Sequence, residues 1–308
     1  MTNAVTLQCP AKVNFTLDVL SRRQDGYHGV ETLLQSISLA DRLTIEPAAA
    51  GIRMECSGPA SAGVPVDGRN LAWKAVLGAW RAARGDSAMP GLMLRLEKHV
   101  PPEAGLGGGS SDAAGALTAA NHLMRLELDN RTLTGLAAEL GSDVPFFLHG
   151  GFAAASGRGE RIQELPDLPT LWLVVVKPPV HSSTATAYRA LDAVPQRKSH
   201  RATQVMQAAA ANKDWNRLIS GMCNDFEPAV FNDLPAAAAA RDDLVMAGAI
   251  TAHLCGSGSA VYGVAASEAD AAAISASVRR RYSLVYTART LSRSEASFHP
   301  GEESGWVS

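Results

Sequence analysis

The stretch from Pro101 to Ser111 (PPEAGLGGGSS) constrains this chain more than any other part of its sequence. Four glycines fall within five residues, at Gly105 and at 107–109, and an Ala/Leu-rich run follows at 113–126. Glycine permits a left-handed backbone and lets another group approach the main chain closely. A turn of this kind that feeds a helix start presents unpaired N–H groups and the positive end of the helix dipole. The stretch therefore predicts either a site for nucleotide phosphates or a tight turn without a ligand.

The sequence of this stretch matches neither of two familiar phosphate-binding loops. It contains no G-K-[ST], and it has no glycine at the last position of G-x-G-x-x-G. It also lacks a lysine, so a positive charge for the phosphates must come from elsewhere in the chain. Lys98 ends an alternating segment at 92–96 directly before the loop, and this order of strand, loop and helix favours the phosphate interpretation.

The composition is that of an ordinary globular protein. The 308 residues are 46% hydrophobic and 19% charged and carry a net charge of −2. This length gives room for two modest domains or one large one. Because the charge balance is nearly neutral, we expect no nucleic-acid partner.

The cysteine pattern and the apolar runs indicate a cytoplasmic protein. The four cysteines lie far apart, at Cys9, Cys56, Cys223 and Cys255. They form no C-x-x-C pair, which predicts reduced thiols and neither a zinc site nor a disulfide framework. The N-terminus lacks the apolar core of a signal peptide, and glycines and hydroxyl side chains interrupt the longest uncharged run, 244–267. We therefore expect no membrane association.

Hydrophobic periodicity predicts a mixture of strands and helices. Residues 11–19 alternate with period two, which places Lys12 and Asn14 on one face of a strand. A lysine on a strand is usually a solvated surface group, so this pattern alone does not define a site. Further strand segments are predicted at 30–47, 92–96, 150–162, 171–176, 253–265 and 284–291. Helices are predicted at 70–83, 113–126, 132–140, 183–191, 235–248 and 268–282, with further helix before 221, a polar linker at 195–202 and a frayed tail from Ser292.

The segment from Gly141 to Pro145 (GSDVP) reads as the end of one helix and the start of another. Gly141 suits the position after a helix end, Ser142 or Asp143 an N-cap, and Pro145 a first helical turn. An aspartate in this setting is most often only a helix cap. From these residues alone, Asp143 is either a cap or a functional carboxylate.

Five segments taken together resemble the GHMP family of small-molecule kinases, which is named for its galactose, homoserine, mevalonate and phosphomevalonate members. They are PAKVNFTLDV, DGYH, PPEAGLGGGSSDAA, GSDVPFF with HGG, and LCGSGSAV. The resemblance itself runs from about Pro10 to Ser292. The resemblance implies a two-domain α+β fold with the active site in the cleft between the domains. We expect an ATP-binding domain at 1–155 onto which 284–295 packs back, a substrate-side domain at 156–283, and a flexible tail at 296–308.

The resemblance also implies an activity. It is ATP-dependent phosphorylation of an alcohol, with ATP as co-substrate and Mg²⁺ as cofactor. The D-G-Y-H segment and the N-D-F-E stretch at 224–227 resemble the branch that phosphorylates the methylerythritol part of a CDP-linked polyol, in non-mevalonate isoprenoid precursor synthesis. The alternatives are a GHMP kinase of the homoserine or mevalonate type, and a nucleotide-binding regulator without catalysis. We expect a monomer or a weak homodimer.

The resemblance assigns roles to individual residues. Asp143 matches the general base and Lys12 its cationic partner. The residues implied for ATP are Asn70, Lys98, Pro101, Gly105, Leu106, Gly107, Gly108, Gly109, Ser110 and Ser111, and either Ser110 or Ser111 is the implied Mg²⁺ ligand. The residues implied for the acceptor are Asn14, Tyr27, His28, Tyr188, Gly256, Ser257 and Gly258. The chain departs from the family pattern at Glu103-Ala104, because a carboxylate beside the phosphate loop repels ATP unless it points outward or helps to hold a cation.

Overall fold

The computed structural model describes residues 4–24, 26–194 and 201–301. Asp25 of the D-G-Y-H segment, most of the polar linker (195–200) and the end of the tail (302–308) lie outside the described residues. The strands are β1 (Val5–Arg22), β2 (His28–Ala48), β3 (Ile52–Ser57), β4 (Gly91–Glu97), β5 (Phe152–Gly157), β6 (Arg161–Glu164), β7 (Trp172–Val176), β8 (Cys223–Asn224), β9 (Thr251–Leu254), β10 (Val261–Ala265) and β11 (Val285–Arg289). The helices are α1 (Leu71–Arg84), α2 (Gly108–Leu123), α3 (Asn130–Leu140), α4 (Val144–His149), α5 (Thr184–Asp192), α6 (Ala202–Ala211), α7 (Trp215–Ser220), α8 (Glu227–Asp233), α9 (Pro235–Met246), α10 (Glu268–Val278) and α11 (Arg293–Ala296).

The first sheet has seven strands and is built around the long antiparallel pair β1 and β2. Its order is β3-β4-β2-β1-β8, and β5 pairs with β2 and carries β6. Helices α1 to α4 contribute to the same hydrophobic core as this sheet, through side chains such as Val76, Leu117 and Phe146. The sheet therefore places the end of β4, the glycine loop and the start of α2 next to one another.

The second sheet has four strands in the order β11-β7-β10-β9, and all of its pairs are antiparallel. Helices α5, α8, α9 and α10 share a core with it, in which Val174, Leu244 and Ile274 are buried. The apolar run expected to be a buried strand is β7. A buried central strand carries apolar residues on both of its faces, which accounts for the continuous apolar run.

A third core joins the two sheets. Val13 and Phe15 of β1 are fully buried against residues of β7 and β10, including Val175 and Tyr262. The Tyr262 hydroxyl donates a hydrogen bond of 2.8 Å to the main-chain oxygen of Asn14. Because side chains alternate along a strand, the burial of Val13 and Phe15 directs Lys12 and Asn14 to the opposite face.

Several predicted elements differ in extent from the structure. Helix α2 begins at Gly108, five residues before the predicted start at 113, so the last two glycines and both serines of the loop are helical. Helix α8 was not predicted, because the short C-N-D-F-E-P-A-V-F segment shows no full helical period. None of the helices in the described ranges combines the length and the apolarity that crossing a bilayer requires.

The C-terminal segment also differs from the expected frayed tail. The Ser292 side chain accepts a bond from the backbone of Glu295, and the Glu295 side chain accepts one from the backbone of Ser292, which forms a capping box at α11. Arg293 donates to main-chain oxygens of Gly150 and Phe152, so this segment is tied to the first sheet. Strand β11 itself pairs with β7 of the second sheet. The expected boundary at 155/156 falls within β5, and the division into two domains stays a prediction.

Candidate active site

The glycine loop (101–111) touches a second glycine turn (255–260, containing Gly256-Ser257-Gly258) through its backbone. Gly105 has a φ of 77°, and a Cβ placed there would lie 1.9 Å from the main-chain oxygen of Cys255. The amide of Ala260 donates a 3.1 Å hydrogen bond to the oxygen of Ala104. No side chain fits between the two turns, so the glycine at 105 is required by both its left-handed backbone and the close approach.

Gly107 forms the N-cap of α2 with a φ of 73°. A Cβ at this position would lie 2.7 Å from Cζ of Phe147 and 3.2 Å from Cγ of Lys12. The amide of Ser111 donates to the oxygen of Gly107 over 2.9 Å, as the first intrahelical bond. The amides that precede Ser111 in the first turn have no intrahelical partner and can bind an anion, whereas the Ser111 amide is already used.

Lys12 is buried beside this helix start and reaches two oxygens. Its ammonium donates a 2.8 Å hydrogen bond to Oδ1 of Asn14 and lies 3.5 Å from Oδ2 of Asp143. Asn14 in turn donates to Oγ1 of Thr32 over 2.8 Å, which fixes the orientation of its amide. The Lys12 side chain is 4% exposed whereas that of Asp143 is 40% exposed, so a fixed cation lies beside a carboxylate that solvent and a ligand can reach.

Asp143 precedes α4 but does not cap it. Its φ and ψ are −83° and −16°, and its side chain makes no cap hydrogen bond. An N-cap residue usually has an extended backbone, which directs its side chain towards the free amides of the first turn. The helical backbone at Asp143 instead leaves the carboxylate free to face Lys12. Of the two interpretations of this residue, the geometry therefore favours the functional carboxylate.

A cleft of about 800 Å³ lies between the glycine loop, the second glycine turn and α5. Sixteen of the nineteen predicted site residues line it: Lys12, Asn14, Tyr27, His28, Pro101, Gly105, Leu106, Gly107, Gly108, Gly109, Ser110, Asp143, Tyr188, Gly256, Ser257 and Gly258. The other three predicted residues, Asn70, Lys98 and Ser111, are not among its lining residues.

The structure gives Asn70 and Ser111 other surroundings. The side chain of Asn70 caps α1 by accepting from the amide of Ala72, and it donates to the oxygen of Pro65. Ser111 is fully buried, and its hydroxyl has no hydrogen-bond partner among the described residues. Ser110 lines the cleft. The geometry thus favours Ser110 over Ser111 as the hydroxyl that meets a phosphate or a metal ion.

Lys98 lies behind the glycine loop rather than in the cleft. Its ammonium binds the carboxylates of Asp41 and Asp112, and all three side chains are less than 5% exposed. Asp41 also accepts hydrogen bonds from the amides of His99 and Val100, at 2.6 Å and 2.9 Å. This buried triad of Asp41, Lys98 and Asp112 fixes the residues that enter the loop and the first turns of α2.

The triad holds two carboxylates for one ammonium. Burial alone would lower the pKa of Lys98, but the carboxylates of Asp112 and Asp41 raise it above its ordinary value. Burial raises the pKa of Asp112 to about 8, although the Lys98 ammonium lowers it. The raised pKa of Asp112 favours its protonated form, which lessens the negative charge behind the phosphate loop.

The other end of the cleft is aromatic. Tyr27 is 60% exposed, and the guanidinium of Arg158 lies 5.4 Å from its ring centroid. His28 is buried and stacks on Tyr188, with ring centroids 5.0 Å apart and planes at 14°. Phe226 meets Tyr188 edge-on. The arrangement offers an exposed ring, a cation and a histidine to a flat polar group.

The N-D-F-E stretch at 224–227 connects the elements around this end. Asn224 donates to the oxygens of Leu254 and Gly256, which holds the second glycine turn in place. Asp225 accepts from the amide of Val19 on β1. Glu227 accepts from the amide of Leu254. Asn224 and Glu227 thus both hold Leu254, directly before the second glycine turn, and Asp225 ties the stretch to β1.

The unusual Glu103 lies at the exposed rim of the cleft. Its carboxylate is 70% exposed and lies 3.4 Å from Nδ1 of His181, which is also exposed. The residue adopts a φ of 52°, and Ala104 beside it is buried. Solvent screens an exposed carboxylate at the rim, so it opposes a bound triphosphate only weakly.

Comparison with known proteins agrees with this geometry. The family model for the GHMP kinases N terminal domain matches residues 70–151, and the model for GHMP kinases C terminal matches 206–284. The 4-diphosphocytidyl-2-C-methyl-D-erythritol kinase of Moorella thermoacetica is 43% identical over 94% of this chain and 100% of its own length. The chain belongs to the GHMP kinase family.

Other GHMP kinases extend the comparison. The kinase of the same name from Pelotomaculum thermopropionicum is 42% identical over 93% of this chain and 98% of its own length. A crystal structure of 4-(cytidine 5'-diphospho)-2C-methyl-D-erythritol kinase superposes with a TM-score of 0.77 at 35% identity, covering 92% of this chain and 98% of that one. Homoserine kinase from Cytophaga hutchinsonii, with a TM-score of 0.72 at 20% identity over 95% and 97% of the two chains, shares the fold.

The sequence did not reveal every residue around this GHMP kinase cleft. Arg158 lines it from the turn between β5 and β6, and no pattern near it indicated a role. Asp41 and Asp112 lie far apart in sequence and meet only at Lys98. Asp192 contacts His28 from the end of α5. The sequence shows such a residue only as a polar side chain in a largely apolar strand or helix. It does not show which distant residue this side chain contacts.

Proposed function

We propose that this GHMP kinase transfers the γ-phosphoryl group of ATP to a hydroxyl of 4-diphosphocytidyl-2-C-methyl-D-erythritol. The names of the full-length relatives support this substrate. The observation that carries the chemistry is the Lys12–Asp143 pair, 3.5 Å apart and beside the start of α2. Phosphoryl transfer needs positioning, charge neutralisation and a group that orients the attacking hydroxyl, and the cleft has residues suited to each.

ATP is proposed to bind with its phosphates at the start of α2. The amides of Gly108, Gly109 and Ser110 face the cleft end of the helix, where the positive end of the dipole favours an anion. Lys12 adds a buried positive charge at the same place. This assignment supplies the charge that the loop itself lacks, with Lys12 rather than Lys98 as its source.

The site suits Mg²⁺ only as a partner of the phosphates. Among the described residues, no group of three or more His, Cys, Asp or Glu side chains is arranged to hold a metal ion. Mg²⁺ commonly binds substrate phosphates, water and one or two protein oxygens, so a site of this kind needs few protein ligands. Ser110 would hold it through its hydroxyl, and the ion would neutralise charge on the phosphate oxygens.

Asp143 is proposed as the base and Lys12 as the group that positions and polarises the reaction. The acceptor hydroxyl oxygen forms a bond to Pγ, the bond from Pγ to the bridging oxygen of ADP breaks, and the hydroxyl proton passes to Asp143. Lys12 is close enough to keep the Asp143 carboxylate directed at the hydroxyl and to attract charge that develops on the transferred group.

The aromatic end is proposed to hold the cytidine diphosphate part of the acceptor. Tyr27 offers an exposed ring for stacking, and His28 offers a polar edge. Arg158 is the other basic side chain, besides Lys12 and the histidine, among the residues that line the cleft. Its guanidinium is placed to meet the acceptor's diphosphate, since arginine binds phosphate groups through a planar fork of donors.

The deciding experiment is a coupled assay of ADP release. The purified chain, ATP and Mg²⁺ are tested with the CDP-linked polyol, homoserine and mevalonate. We expect turnover with the CDP-linked polyol and none with the other two. Turnover with homoserine or mevalonate alone would assign another activity of the family, and binding of ATP without turnover on any acceptor would favour a regulatory protein. Size-exclusion chromatography in the same buffer tests the expected monomer or weak dimer.

A further inference from the structure

Two residues of α5 contact the His28 imidazole, one at its edge and one at its face. Nε2 of His28 lies 2.9 Å from Oδ1 of Asp192, and its ring stacks on Tyr188 at 5.0 Å between centroids. Tyr188 and Asp192 are four residues apart in α5, so they lie on the same face of the helix. The stack fixes the plane of the imidazole, and the hydrogen bond fixes its rotation within that plane.

Helix formation does not favour Asp192 at its position. It is the last residue of α5, where the negative end of the helix dipole repels a carboxylate. Its side chain is 46% exposed, so its position is not explained by burial. The contact that the structure gives this carboxylate is the one with His28.

The contact determines which nitrogen of His28 carries the proton. A carboxylate can only accept a hydrogen bond, so Nε2 must be the donor. In a neutral imidazole the other nitrogen, Nδ1, is then an acceptor. No described residue binds Nδ1, and His28 is among the residues that line the cleft. A neutral His28 therefore offers the cleft a hydrogen-bond acceptor at Nδ1.

An acceptor at this point distinguishes two pyrimidines. Cytosine carries the N4 amino group, which donates hydrogen bonds, where uracil carries a carbonyl oxygen, which accepts them. An acceptor on the protein pairs with the first and repels the second. If His28 reads this edge of the base, the tautomer of its ring selects cytosine over uracil.

We propose that Asp192 is a specificity-determining positioning residue, which holds His28 as the Nε2–H tautomer so that Nδ1 accepts a hydrogen bond from the cytosine amino group. This inference rests on the proposed function, since that function supplies the cytidine diphosphate. Asp192 does not touch the base in this arrangement. It acts through His28, and its effect is on the choice between CDP-linked and UDP-linked ligands.

The test compares CDP and UDP as ligands of the full chain by isothermal titration calorimetry. It is run at about pH 8.5, two units above the usual imidazole pKa, with ATP absent. We expect the parent to prefer CDP, and Asp192→Ala to reduce the ratio of the two affinities by about 5- to 150-fold, the range of one paired base edge. Asp192→Asn should retain most of the preference, because its amide oxygen still accepts from Nε2.

Asp233→Ala is the matched control. Asp233 is an exposed carboxylate at the last residue of α8, so its removal repeats the loss of charge at a helix end away from the cleft. The ratio of CDP to UDP affinity should not change in this variant. Nitrogen-15 NMR of the imidazole, assigned through His28→Gln, should show the Nε2–H tautomer in the parent and in Asp192→Asn but not as the sole form in Asp192→Ala.

The outcomes separate the inference from the proposed function. Equal loss of CDP and UDP affinity in Asp192→Ala would assign Asp192 to anchoring α5, and the inference would be wrong. Equal affinities in the parent would also overturn it, because the site would not read this edge. If the parent bound neither CDP nor UDP, and released no ADP with the CDP-linked polyol, the proposed function itself would fail.

Discussion

The Lys12 ammonium lies 3.5 Å from the Asp143 carboxylate, although 130 residues separate them in the chain and they belong to different elements. Lys12 comes from the middle of β1, and Asp143 from the turn between α3 and α4. The start of α2 lies beside Lys12, since a Cβ on Gly107 would touch the Lys12 side chain, and Asp143 lines the same cleft. A carboxylate, a buried ammonium and the start of a helix therefore share one cleft, and the following experiments test the roles proposed for the residues around it.

Replacing Asp143 should remove catalysis without removing stability. We expect Asp143→Asn and Asp143→Ala to lose phosphoryl transfer by roughly 10²–10⁴-fold, because neither side chain accepts a proton. Both should melt close to the parent, because Asp143 makes no cap hydrogen bond. Turnover and thermal melting are measured on the same preparations. A large drop in melting temperature for Asp143→Ala alone would assign the residue to capping.

Lys12→Met tests whether the pair acts as a unit. Methionine keeps most of the volume of the lysine stem and removes the charge. Turnover should therefore fall, and ATP should still bind, but with lower affinity than in the parent. The double variant with Asp143→Asn should lose little beyond either single variant if the two groups act together. Fully additive losses in single-turnover measurements would show that the residues work independently.

Gly107→Ala should weaken ATP binding through the backbone. The new Cβ would lie 2.7 Å from the Phe147 ring, at a φ of 73° that non-glycine residues rarely adopt. We expect a loss of ATP affinity of at least about tenfold, because the added Cβ would displace the start of α2 from the phosphates. Gly85→Ala is the control, because Gly85 also has a positive φ, of 62°, but a Cβ added there would have no atom within 4 Å. Equal ATP affinity in the two variants would contradict the proposed anion site.

Tyr27→Ala should affect the acceptor and not the nucleotide donor. Because Tyr27 is 60% exposed, its removal should leave the melting temperature nearly unchanged. The loss of one stacking ring should weaken binding of the CDP-linked polyol by about 1–3 kcal/mol. Affinities for that ligand and for ATP are measured separately. An equal loss for both would show a general effect on the cleft rather than a stacking role.

Asp112→Asn should change how stability depends on pH. The folded-state pKa of Asp112 is about 8, well above the value of about 3.9 in an unfolded chain. Between these values the folded protein holds a proton that the unfolded chain has released. The contribution of Asp112 to the free energy of unfolding is therefore complete at low pH, falls as pH rises above about 3.9 and is lost once pH passes about 8. Asparagine does not titrate, and its amide can still accept from Lys98.

The measurement is a series of thermal melts of the parent and Asp112→Asn from about pH 5 to about pH 9. The melting temperature of the variant should rise relative to that of the parent across this range and level off at its upper end. A constant difference at all pH values would show that the Asp112 carboxyl is already ionised in the folded protein.

The sequence alone predicted the elements whose signals are local. Period-two alternation identified β1 and placed Lys12 and Asn14 on one face, and helical spacing identified α1 within one residue at each end. The start of α2 was predicted five residues late, because glycine and serine carry little helical signal. A Cβ on Gly108 would lie 2.9 Å from Val100 and 3.1 Å from the Lys98 ammonium, so the folded protein leaves room only for glycine there, and no local sequence pattern predicts this.

The tertiary structure decided which residue serves which task. Lys98 precedes the loop and appeared suited to bind phosphates, but Asp41 and Asp112 enclose it. The sequence allowed Asp143 to be a cap, and the backbone angles at that residue turn its carboxylate to Lys12 instead. His28 came from a motif, whereas its partner Asp192 did not. Motifs and periodicity report the residue types that a chain offers, but the partner of a charged group depends on which distant segments the folded sheets bring within a few ångströms.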